Sequence, residues 1–180
     1  MAVCHPEAMS RADVSARAVA EELGLADVPI DPEKTAGSLD LIVVRQNADA
    51  GVDGMLLRRD GRVVIGLNDT RPPEGQRFTL AHLVGHYRMH ARRELILDGI
   101  VRYEHRRLAC IPTDREEVEA NRFAGALLMP EHVVRRMARE ADFDTAAQLV
   151  DLLAPRFEVS RAVMSVMSYR LMSLGIILDV

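Results

Sequence analysis

Two histidines four residues apart, His82 and His86 in the run His82-Leu83-Val84-Gly85-His86, are the side chains best placed to do chemistry in this 180-residue chain. On a helix that spacing sets the two imidazoles about 40° apart on one face, so both can reach a single ion. Alone the signal is weak, because solvent-facing or core-satisfied pairs with this spacing arise by chance in many helices. His90 continues the row but drifts further round. It reads as a supporting or surface residue rather than a third ligand.

A third donor has to come from another element, and the run REEVEANRFAGALLMP (115–130) carries the candidates. Glu117 lies one helical turn before Asn121, and a carboxylate on a helix packed against the histidine helix completes a His/His/Glu set. That is the three-ligand arrangement with an open position used by catalytic zinc. Glu117 reads equally as a first-turn acid complementing the helix dipole. Glu116 and Glu119 are rival carboxylates. On a regular helix Glu119 leaves about 160° away from Glu117, so only one of these two faces the site.

The elements that must position these residues follow from periodicity and punctuation. A helical stripe runs from Arg11 to Leu23, with Ser10 as cap and Gly24 as stop. Asp31-Pro32 opens a shorter helix, and Leu41 to Arg45 reads as a buried strand. GMLLRRDGRVVIGLN is two β-prone runs around Asp60-Gly61, a strong hairpin signal. DTRPPEGQ reads as a loop, and a helix is expected from about Gln76 to His90. Gly85 inside that helix costs up to about 1 kcal/mol relative to Ala and marks close approach by a neighbour. Gly85, Ala120, Ala124 and Gly125 would let the two site helices come together. Arg92 to Pro112 reads as irregular. Helices then run from Asp114 to about Leu128, with Thr113 or Asp114 as cap, from Pro130-Glu131 to about Ala141, from Thr145 to Phe157, and from Ser160 to Leu174. Helices, a small β-meander and more helices make an α+β layout.

Composition bounds the class. The chain is 48% hydrophobic and 28% charged, with 4% aromatics, no Trp and nine Met, so a packed core is expected and dominant disorder is not. No window approaches eighteen uninterrupted apolar residues, and the N-terminal run has no apolar signal region, so cytoplasm is the expected location with no membrane partner. A net charge of −4 argues against the whole chain acting as an electrostatic nucleic-acid binder. Cys4 and Cys110 form at most one bridge and read as free thiols in that compartment.

The runs RFTLAHLVGHYRMH (77–90) and EVEANRFAGALLMP (117–130), the hairpin ending in IGLND, and the tail FEVSRAVMSVMSYRLMSLGII together resemble the ImmA/IrrE family of gluzincin-like zinc metallopeptidases. The likeness extends from about Arg11 to Ile177 in the family's order. It implies a zincin-like domain at 1–130 and a helical, helix-turn-helix-like part at 131–180. It implies zinc held by His82, His86 and Glu117, with Asn121 as a residue orienting a ligand. It also implies a helix-turn-helix transcriptional repressor as protein partner, relieved by cleavage under stress or mobile-element control.

One position departs from the family pattern. The family's HExxH motif has a glutamate where this chain has Leu83. That glutamate takes a proton from the attacking water and passes it to the leaving amine. Leu83 can do neither, and a placed base contributes about 10²- to 10⁴-fold. Impaired or lost hydrolysis is expected, or a pseudoprotease that binds its partner without cutting it. Glu116, Glu119, His90, Tyr87, Tyr103 and His105 are the titratable residues that could stand in as base, and each reads first as a surface polar group. In the tail, Arg161, Ser165, Ser168 and Met172 face outward as a poor set for DNA contacts. Val159, Val163, Met164, Met167 and Leu171 read as a packing face, so direct DNA binding is not expected.

Overall fold

The computed structural model describes residues 9–25, 28–49, 51–99, 114–159, 170–172 and 174–176. Cys4, Cys110, Thr113, Tyr103, His105 and most of the expected Ser160–Leu174 helix lie outside the described residues. The fold is α+β. Helix α1 (Arg11–Glu22) starts at Ser10, whose hydroxyl accepts from the Asp13 amide. It ends before Gly24, where φ is +63°. Helix α2 (Pro32–Ser38) is capped by Asp31 and has proline in its first turn. Strands β1 (Ile42–Gln46), β2 (Gly54–Arg59), β3 (Arg62–Asn68) and β4 (Leu95–Asp98) form one sheet in the order β1-β3-β2-β4. β1 runs parallel to β3, whereas β2 is antiparallel to both β3 and β4.

The β2–β3 hairpin turns at Asp60 and Gly61, with φ of 50° and 73°, the two left-handed positions that a tight Asp-Gly turn requires. β1 departs from expectation. Ile42 and Val44 are 44% and 40% exposed rather than buried, because β1 is an edge strand and only alternate residues such as Val43 face the interior. β4 is an addition: the Arg-rich stretch expected to be irregular supplies a strand that is the other edge of the sheet among the described residues.

Helix α3 (Pro73–Met89) begins three residues before the expected Gln76, since Pro73 suits the first helical turn with its fixed φ and missing N–H. It lies between two layers, against β2 and β3 on one side and α1 and α4 (Asp114–Leu128) on the other. That placement explains why Thr79 through His86 are all buried. The contact with α4 is close. A Cβ on Gly85 would lie 3.0–3.1 Å from atoms of Phe123, and Ala120 and Ala124 are fully buried. Helices α5 (Glu131–Glu140) and α6 (Ala146–Phe157) follow, the latter with a Thr145/Gln148 capping box. Val133, Leu149, Leu153 and Phe157 join the same apolar core as Leu56, Ile65 and Leu83. Arg170 is buried, donates to the Met129 carbonyl and pairs with Asp13 on α1, so it serves packing. Val159 and Leu171 are likewise buried. No helix among the described residues is long and apolar enough to cross a membrane.

Candidate metal centre

The central helix carries His82 and His86 at 2% and 0% exposure, and α4 brings Glu117 to them at 6%. Two atoms of the histidine pair, both Nε2, face each other at 3.1 Å. The Glu117 carboxylate closes the triangle, with Oε1 3.3 Å from His86 Nε2 and Oε2 3.6 Å from His82 Nε2. Ligand atoms around a tetrahedral zinc with bonds of ~2.0–2.1 Å stand about 3.3 Å apart. The Nε2–Nε2 separation and the contact of each ring with its nearer carboxylate oxygen are close to such an edge, and the three residues form a group that could hold a metal ion.

The outer nitrogens of both rings are committed elsewhere, which decides where the lone pairs point. His82 Nδ1 lies 2.9 Å from Asn121 Oδ1, an atom that can only accept, so the tautomer with its proton on Nδ1 satisfies this contact and leaves the Nε2 lone pair for a metal. His86 Nδ1 is 2.9 Å from His90 Nδ1, and His90 Nε2 is 3.1 Å from Glu119 Oε2. With neutral rings the chain is satisfied when His90 Nε2–H donates to the carboxylate and His86 Nδ1–H donates to His90. His86 Nε2 then also presents a lone pair. Two lone pairs and a carboxylate converging on one point form an arrangement that a cation relieves. Burial, only partly offset by Glu117, pushes the His86 imidazole down to about 4, which keeps the ring neutral and able to ligate.

His90 is therefore the buried link between His86 and Glu119. The helical-wheel expectation that turned Glu119 away from the site holds for the donor triangle but not for His90. Hydrogen bonding from His90 lowers the Glu119 carboxyl, with Arg115 adding to it. Glu116 instead pairs with Arg93. On the other side Arg58 of β2 donates to the carbonyls of His86, Tyr87 and Arg93, fastening the last turn of α3 to the sheet.

The sequence reading missed Asp98. It ends β4, and its Oδ1 lies 3.9 Å from His82 Nε2 with the side chain 16% exposed. The only sequence signal was a carboxylate closing the short apolar run LILD. Leu83, in contrast, is fully buried and turned to the sheet. A Cβ on Gly54 would lie 3.0 Å from its Cδ1.

The family described as the IrrE N-terminal-like domain, Peptidase_M78, matches residues 36–169, most of the chain. The chain belongs to this family. Radiation response metalloprotease IrrE of Deinococcus radiodurans is 37% identical over 122 residues, which cover 62% of this chain and 35% of that protein. A Mycobacterium tuberculosis transcriptional regulator shares the fold, with a TM-score of 0.58 at 20% identity over 88% of this chain and 47% of its own. The chain spans about a third of the length of the first relative and just under half of the second. The IrrE-type match contains the whole donor set, together with Leu83, Asn121, His90 and Asp98. Membership in a metallopeptidase family agrees with a possible His/His/Glu metal site.

Proposed function

We propose that this chain is a zinc-holding, metallopeptidase-type regulator of the cytoplasm. It engages a helix-turn-helix transcriptional repressor, and its peptide-bond hydrolysis is impaired by leucine at position 83. The observation that carries the reading is the convergence of His82 Nε2, His86 Nε2 and Glu117, with both outer ring nitrogens already bonded. Zinc held there would supply Lewis acidity toward a peptide carbonyl and a more acidic water. Asn121 and His90 fix the ring orientations. The outer edge of β4 has no strand partner among the described residues, so an extended peptide could pair along it main chain to main chain. In this reading residues 1–130 form the peptidase-type unit and 131–180 a helical unit packed on it. The buried, apolar Leu83 also favours a second reading, a pseudoprotease that retains its partner uncut.

The test incubates the zinc-loaded chain and its Leu83→Glu variant with purified helix-turn-helix repressors from the same genome, with and without a zinc chelator. Both proteins should bind one of them. Leu83→Glu should cut faster, and cutting should stop with chelator. Rapid cutting by the wild-type chain would contradict impairment, and binding to none would contradict the partner. Binding by both variants with no product from either would favour the second reading.

A further inference from the structure

We infer that Asp98 supplies a residual proton-accepting carboxylate at this site, a partial substitute for the side chain that Leu83 lacks, so that hydrolysis is impaired rather than lost. This rests on the metal-site reading above. Register makes the case. Gly54 pairs with Leu67 and Asp98, and Leu56 pairs with Ile65 and Ile96. Side chains two residues apart on a strand share a face. Asp98 therefore lies on the same face as the fully buried Ile96 and as Gly54, where a Cβ would meet Thr79 and Leu83 of α3. Its carboxylate reaches to 3.9 Å from the nitrogen of His82 that points at the donor triangle. It stays outside the compact set of three, the place of a group that contacts a bound water rather than a ligand. Leu83 ends under Gly54, the residue paired with Asp98, so the apolar side chain fills the floor and the carboxylate comes from the strand above.

The end of β4 is held firmly enough to aim a proton acceptor. The Asp98 carbonyl accepts from the Asp53 amide at 2.9 Å. Gly99 follows with φ of +129°, and any Cβ there would run into the carbonyl oxygen of Gly51. Val52 is in turn held by Asn68, buried to 1% exposure, whose side-chain amide donates to the Val52 carbonyl at 2.7 Å. In hydrolysis, Asp98 takes one proton of the attacking water as the water oxygen bonds to the peptide carbon. It returns that proton to the departing nitrogen as the C–N bond breaks, giving a carboxylic acid and an amine.

The test uses the full chain loaded with cobalt(II), whose visible spectrum reports on ligands, and two small probes. Acetohydroxamic acid must give up a proton to bind as its anion, whereas azide binds already charged. Asp98→Asn is isosteric and should take up cobalt as the wild type does. Its affinity for acetohydroxamic acid should fall about tenfold or more, equivalent to about 1.4 kcal/mol, while azide affinity stays level or rises. Equal behaviour of the two proteins with both probes, or a parallel loss with both, would overturn the role of Asp98 alone. Failure of the wild-type chain to take up cobalt would overturn the metal site and this inference together.

Discussion

Replacing Asn121 by alanine should weaken zinc binding without unfolding the protein. The side-chain oxygen accepts from His82 Nδ1 at 2.9 Å, and His82 is 2% exposed. Its removal leaves a buried N–H without that acceptor, a cost of about 1–3 kcal/mol. In the metal-free protein the ring has an escape: the proton moves to Nε2 and donates to His86 Nε2, 3.1 Å away. That tautomer blocks the metal. Zinc affinity should therefore fall about 10- to 100-fold, in line with the usual effect of removing a ligand's supporting partner. The stability of the metal-free form should fall by only about 1 kcal/mol. At saturating zinc the metal-induced stabilisation should shrink by about 1.4–2.7 kcal/mol. Competition against a colorimetric zinc chelator at fixed pH measures the first quantity, and urea unfolding with and without zinc the second. Asn121→Asp keeps an acceptor and should retain most of the affinity. Zinc binding by Asn121→Ala within about twofold of wild type, or an equal loss in Asn121→Asp, would refute the argument.

Three further outcomes follow from the same geometry. His90→Phe leaves His86 Nδ1–H without its acceptor and should also cost about 10- to 100-fold in zinc affinity, whereas Glu119→Gln, which can still accept from His90, should cost less; equal losses in the chelator competition would argue against the relay. Gly85→Ala adds a methyl 3.0–3.1 Å from Phe123, so a helix-propensity gain of up to about 1 kcal/mol should be outweighed by an overpacking cost of about 1–3 kcal/mol, with zinc affinity falling as α4 is pushed outward; a variant more stable than wild type would show that the helices have room. In acid, an unfolded histidine takes its proton near 6.5, but His86 in the folded state resists until about 4, so the unfolded state binds more protons between those values. The metal-free protein should lose about 3 kcal/mol from this group as pH falls through that window, and no more below it. Urea midpoints across the window should flatten in His86→Leu, and parallel curves for the two proteins would contradict the assignment.

Much of this site could be read from local sequence because helices hold neighbours in fixed relation. His82 and His86 are four apart, Glu117 and Asn121 are four apart, and Gly85 faces Phe123 where the helices meet. The Asp60-Gly61 turn was equally local. The remaining features depend on partners distant in the chain. β4 is four residues long and follows an Arg-rich stretch, so its pairing with β2 rather than its composition defines it. Asp98 gains meaning only from the register that places it beside Gly54 and on the face of Ile96. A wheel drawn on α4 alone turned Glu119 away, since it did not include His90 at the end of α3. β1 looked buried by composition and lies exposed because its place at the sheet edge is a matter of topology.

The claim beneath all of these is that His82, His86 and Glu117 hold a metal. Elemental mass spectrometry on protein purified without chelator and without a histidine tag, then offered zinc and desalted, tests it directly. About one zinc per chain is expected, matching a single tetrahedral site, with loss of that zinc in His82→Ala. A wild-type chain that emerges with essentially none, or a His82→Ala variant that retains it, would contradict the account.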